Sequence, residues 1–199
     1  MIYTIGARDP RKKGDNVINT TSRSKNWSQG LSPFILGPVP LWDGMIAQNV
    51  ENAWQYTKVY PSHVDKDGEP THDWIGWAVR GWEKRRAVRY PMGKGAKPLY
   101  SYWDDEKLDY IEARKRIYLP AYANAVTKTD AFTKLQETCK EHEDIWLWDF
   151  DCYRHDEMGM TLSDVLHDGS RSMGHGFILK MILTGEIDEL APGWKYLEG

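Results

Sequence analysis

A glutamate, a glutamine and a lysine stand four and three residues apart in "NVENAWQYTKVY" (49–60): Glu51, Gln55 and Lys58. A carboxylate can stabilise developing positive charge or direct a water. An amide can orient a hydroxyl or that water, and an ammonium can hold a phosphate or protonate a leaving group. At 100° per residue the three lie within about 60° of one another on a helix. Beside them Val50, Ala53, Trp54 and Thr57 form a core-facing stripe, so the triplet occupies the boundary where a helix can line a pocket. The same wheel fits a solvated flank in which Gln55 bridges Glu51 and Lys58, worth a few tenths of a kcal/mol at most. Taken alone, the wheel favours the flank.

Other residues add binding chemistry. Arg86, Arg89 and Lys97 form a basic patch on an otherwise acidic chain, suited to a diphosphate; such charge runs are as often solvated faces. "GSRSMGHG", which contains Gly174, puts backbone N–H groups at a helix start, a ready anion site. Ten tryptophans are too many to pack fully into one modest core, so some rings are expected to line a cleft and stack on flat ligands. Trp103, Trp146 and Trp148 are the stacking candidates, and Trp54 belongs to the core stripe. His155 and His167 fall in loops, but no two of the six histidines have metal-ligand spacing on a helix, so no metal is predicted.

The elements that must position these groups can be read in outline. Asn49 caps the helix bearing the triplet, which stops before Pro61. "LSPFILGPVPLWDG" reads as extended pieces joined by turns, with Asp43-Gly44 a hairpin-type turn. "DWIGWAVRGWEKRRAVRY" reads as a helix ending at Pro91. Asp104 is expected to cap a long helix that Pro120 kinks or ends. "DAFTKLQETCKEH" reads as an amphipathic helix, "MIYTI" and "IWLWDFDCY" as strands, the former followed by a loop, and "HGFILKMILTG" as a buried helix closed by Gly185. The predicted fold class is α+β, a mostly helical single domain with small β elements: an N-terminal, partly extended segment at 1–29, then a domain at 30–199. A net charge of −3 disfavours duplex nucleic acid as a bulk electrostatic partner, and Cys139 and Cys152 lack the spacing of a zinc or disulfide framework. No leader-like start and no 18-residue apolar run are present, so a cytoplasmic protein without a membrane partner is expected.

"LSPF" (31–34), "WDG" (42–44), "ENAWQYTK" (51–58), "RAVRYPMG" (86–93) and "KP" (97–98) before Trp103 occur in an order that resembles the NADAR, or YbiA-like, family. "DIWLWD" and "SMGHGFILKMIL" extend the resemblance over about 30–184 as a distant member. Departures are Asn52 for a histidine or tyrosine, Val59 for a phenylalanine, and Ser172, Met173 and Gly174 for a Gly-Lys-Asn run. The resemblance implies a YbiA-like fold and hydrolysis of an N-glycosidic bond in an ADP-ribosylated base of guanine type or a related ribosylated nucleotide. It implies Glu51 as the catalytic carboxylate and Asp149 as a second carboxylate or ribose-hydroxyl acceptor; a strand-end residue capping a turn fits Asp149 equally. Gln55, Lys58, Arg86, Arg89, Lys97, Trp103, Trp146, Trp148 and Gly174 would bind a nucleotide, free or within nucleic acid, with no cofactor. The alternative is a non-catalytic pocket that sequesters an ADP-ribose-like nucleotide, as an anti-defence protein would.

Overall fold

A computed structural model describes residues 1–9 and 16–195. The elements in chain order begin with strands β1 (Ile2–Ile5), β2 (Val17–Asn19), β3 (Val39–Pro40) and β4 (Ile46–Ala47), helix α1 (Val50–Tyr56) and strand β5 (Lys58–Val59). Helix α2 (His72–Trp82), strands β6 (Tyr100–Trp103) and β7 (Glu106–Leu108), and helices α3 (Tyr110–Ala113), α4 (Leu119–Val126) and α5 (Asp130–Glu141) follow. Strand β8 (Ile145–Trp148) and helices α6 (Leu162–His167), α7 (His175–Thr184) and α8 (Ile187–Leu190) complete the mixed α+β fold.

Three small sheets carry the strands. In the first, β8 lies between β1 and β2 and runs parallel to both, with Trp146 opposite Tyr3 on one side and Val17 on the other. A central parallel strand needs cover, and α7 supplies it: His175 to Met181 are all buried, the pattern of a helix enclosed on every side. The other sheets are the β3–β4 hairpin and the antiparallel β5–β6–β7 set. Asp43 (φ 52°, ψ 32°) and Gly44 (φ 71°) make the hairpin turn expected of an Asp-Gly pair.

Helix α1 has every N-terminal N–H satisfied, which explains why "LSPF" and the triplet belong together. Pro33 O accepts from Glu51 N at 3.0 Å, and Leu36 O from Val50 N at 2.9 Å. Asn49 Oδ1 accepts from Asn52 N at 2.9 Å, and Asn49 O from Ala53 N at 3.0 Å. Helix α2 then packs so closely on α1 that a Cβ on Gly81 would sit 1.9 Å from the Tyr56 ring.

Three elements differ from expectation. Helix α2 ends at Trp82, eight residues before the expected stop, because the carboxamides of Asn49 and Asn52 take the backbone carbonyls of Lys84, Arg85 and Arg86. Asp104 and Asp105, at φ 48° and 62°, form the β6–β7 turn instead of capping a helix. The cap is Asp109, whose Oδ1 accepts from Ile111 N and Glu112 N. Between α3 and α4 lies a π-helical turn, Arg114–Tyr118, which widens the rod just before Pro120. The loop expected after "MIYTI" begins with a turn at 6–9, where Asp9 N donates to Gly6 O at 3.2 Å and Asp9 Oδ2 accepts from Gly6 N at 2.7 Å; residues 10–15 lie outside the described residues. No helix is long and apolar enough to cross a membrane among the described residues.

Candidate active site

The first residues of α1, the loop before β3, the π turn and the junction of β8 with α7 enclose a cleft of about 490 Å³. Glu51, Gln55 and Lys58 face it, so the triplet is a pocket wall and not a solvated flank. Gln55 Nε2 donates to Glu51 Oε1 at 2.9 Å, and Lys58 Nζ donates to Gln55 Oε1 at 2.8 Å. Glu51 is only 6% exposed. Burial pushes its carboxyl above the usual carboxylate range, against the opposing pull of Gln55, Lys58 and Arg89. Burial likewise lowers Lys58 to about 8 despite the nearby Glu51. Its ammonium sits 4.5 Å above the Trp54 ring.

The opposite wall holds a buried ion pair. Asp149, 4% exposed, follows β8 directly, and His175 opens α7. His175 Nδ1 lies 3.0 Å from Asp149 Oδ2, while its Nε2 lies 2.9 Å from both the hydroxyl and the carbonyl oxygen of Thr20. With acceptors at both nitrogens, the doubly protonated imidazolium is the form this geometry satisfies. Burial disfavours charge on both groups, yet their attraction prevails: His175 is raised above its ordinary value and Asp149 is lowered. Asp149 Oδ2 also accepts from Gly176 N at 3.5 Å, so the anion at this helix start is the chain's own carboxylate. Gly174 is needed here for close approach, since a Cβ would fall 2.1 Å from Asp149 Oδ2. Gly174→Ala is therefore expected to destabilise the protein by roughly 1–3 kcal/mol, read as a lower melting temperature. Wild-type melting would mean that Asp149 can swing aside freely.

Of the sequence candidates, Glu51, Gln55, Lys58, Arg89, Asp149 and Gly174 line the cleft together. Arg89 pairs with Asp151, which also lines it. Arg86, Lys97, Trp103, Trp146 and Trp148 are not part of the lining. Arg86 and Lys97 are exposed on the irregular segment after α2. Trp103 packs edge-on against Trp42 at 5.0 Å, in the core. Trp146 stacks on Tyr3 at 4.3 Å across the first sheet. Trp148 stands behind Phe150 at 5.0 Å, and Phe150 reaches the cleft. Trp146 meets Tyr3 on the adjacent strand, Trp103 meets Trp42 of the β3–β4 turn and Trp148 meets Phe150, which uses the rings that a sequence count leaves for a ligand. Trp54, read as core, is half-buried and lines the cleft instead. His155 accepts from buried Lys180 at 3.0 Å outside the cleft, and His167 is exposed.

Sequence reasoning missed Arg23, Tyr110, Arg114, Tyr118, Phe150 and His175, all of which line the cleft. Tyr110, Arg114 and Tyr118 are spaced four apart, a signal on one helical face that was legible. Arg114 is 1% exposed, and its guanidinium donates to Val165 O, Leu166 O, Asp168 O and Arg171 O at 2.8–3.1 Å. It closes the C-terminal end of α6, where carbonyls lack helical partners. Among the described residues no group of three or more His, Cys, Asp or Glu side chains could hold a metal ion.

No curated protein and no solved structure matches the chain. One family profile does, over residues 8–164, and it spans Glu51 and Gln55 of α1, Lys58 of β5, Arg89 and Asp149 but stops before Gly174 and His175. The chain thus belongs to the family described as a family of unknown function (DUF6939).

Proposed function

We propose that the cleft hydrolyses the N-glycosidic bond of an ADP-ribosylated base of guanine type, or of a related ribosylated nucleotide. The observation that carries this reading is the buried Glu51, held by Gln55 and facing a cleft of nucleotide size; the order of motifs that resembles the NADAR family supports it. Breaking the bond between ribose C1′ and the base nitrogen leaves the electron pair on the base and positive charge on the ribose ring. The Glu51 carboxylate faces that charge, or takes the proton of the water that adds to C1′. The Lys58 ammonium supplies a proton to the departing base, and Gln55 holds the two in register. Trp54 and Phe150 offer rings to the base. Asp149, with one oxygen already committed to His175 and Gly176, sets the opposite wall and does not act as a second catalytic carboxylate.

The pH profile of ADP-ribose release from guanine-ADP-ribosylated nucleic acid tests these roles. Glu51 must be ionised and its value is raised, so the acid limb should lie above 4.5. Lys58 must be protonated, so release should fall above about 8. A rate that keeps rising well past pH 9 would remove Lys58 as the acid. Pure sequestration is the second reading, favoured by the committed Asp149 oxygen. Calorimetry with ADP-ribose, cyclic ADP-ribose and NAD would then show tight binding with full recovery of unaltered ligand.

A further inference from the structure

Residues 84–99 contain six basic side chains, Lys84, Arg85, Arg86, Arg89, Lys94 and Lys97, and no acidic one. With −3 on the whole chain, everything outside this segment carries −9. Five of the six are exposed, and among the described residues only Arg89 has a carboxylate partner. A concentration of unpaired like charge is unfavourable to the fold on its own, and it marks a surface suited to a polyanion.

The segment has no regular secondary structure, yet its path is fixed from inside. Asn52, fully buried, donates to Lys84 O at 2.8 Å and Arg86 O at 3.2 Å and accepts from Val88 N at 2.9 Å. Asn49 Nδ2 donates to Arg85 O at 3.3 Å, and Leu99 N donates to Val59 O at 2.8 Å. The Asn49 and Asn52 anchors sit at the start of the helix that carries Glu51, and the Val59 anchor on β5 just after it. The basic run is thus held at a set place beside the cleft, which lowers the ordering cost of a ligand that meets it. At Arg89 and Tyr90 it becomes the cleft wall, and Tyr90 is also 49% exposed, a ring available to a base.

We propose that residues 84–97 form a docking surface for the phosphate backbone of single-stranded nucleic acid, placed to pass one nucleotide into the cleft. A single strand fits better than a duplex because a base entering the cleft has to leave its stack. The docking surface rests on charge and anchoring; only the fate of the nucleotide that enters rests on the proposed function.

The test is fluorescence anisotropy of an unmodified, labelled single-stranded oligonucleotide of about 12 nucleotides, titrated across a salt series. The wild type is expected to bind with a steep salt dependence. The double variant Arg85→Gln/Lys94→Gln, altered only at exposed side chains, should bind several-fold more weakly, with the slope of log K against log salt reduced by about 1.4, or 0.7 per lost phosphate contact. Its affinity for ADP-ribose should not change. No oligonucleotide binding at low salt overturns the proposal, as does an unchanged slope in the variant. So does a variant defect confined to phosphatidylserine vesicles, which would assign the surface to a membrane. Because the probe carries no ADP-ribose, loss of the docking surface and loss of the glycosidase reading give separate results.

Discussion

Glu51→Gln is expected to bind ADP-ribose within a few-fold of the wild type and to release it from a modified base about 10²–10⁴-fold more slowly. The substitution keeps the shape and the hydrogen bond to Gln55 but removes the charge that the proposed transition state needs. Stability should move the other way. The Glu51 carboxyl has a folded value above 4.5, so its favourable contribution is complete below 4.5 and declines as pH rises through the folded value. At neutral pH the ionised group is therefore a liability to folding, and the amide relieves it. A higher melting temperature combined with lost turnover is the pattern of a residue kept for chemistry. Equal loss of binding and turnover, with a lower melting temperature, would make Glu51 structural. Single-turnover release, calorimetry and thermal unfolding on one preparation distinguish these outcomes.

Asp149→Asn should produce the largest loss of stability, about 3–5 kcal/mol, because it removes the charge partner of buried His175, which must then sit unpaired as an imidazolium or give up its proton. The pH dependence identifies the cause. His175 is raised above 6.5 in the folded protein, so its contribution is complete below 6.5 and is lost as pH climbs through the raised value. Asp149 is lowered below 3.8, so its contribution is complete above 3.8 and is lost as pH falls through the lower value. The wild type should then lose stability on the alkaline side of 6.5. In the variant that decline should vanish, since His175 no longer has a reason to hold its proton. Denaturant midpoints measured from pH 5 to 9 for both proteins show it; parallel curves would mean that the pair is not ionised.

How much of this was written in the sequence depends on the range of the interaction. Local signals were legible: the Asn49 cap, the Asp43-Gly44 turn, the apolar α7 and its closing Gly185 all follow from near neighbours along the chain. The triplet's spacing was visible too, but not whether it faced water or a pocket. That was decided by Pro33, Tyr118 and Asp149, far from it in sequence. Arg114 was hidden because its partners are backbone carbonyls at 165–171, which no side-chain pattern reveals. Asn52 looked like a departure from a motif; its burial and three hydrogen bonds make it the peg that ends α2 and holds the basic segment. Tryptophan counting failed for a related reason. Trp103 and Trp146 found partners in Trp42 and Tyr3, while Phe34, Tyr90 and Phe150 reached the cleft.

Under the proposed function this cleft cleaves a glycosidic bond and does not merely hold a nucleotide. The measurement that tests this most directly is mass spectrometry of a guanine-ADP-ribosylated oligonucleotide after incubation with the wild-type protein. Free ADP-ribose and the restored, unmodified oligonucleotide are expected in equal amounts, in catalytic excess over protein. Full recovery of the modified oligonucleotide, from a protein that binds ADP-ribose, would contradict it.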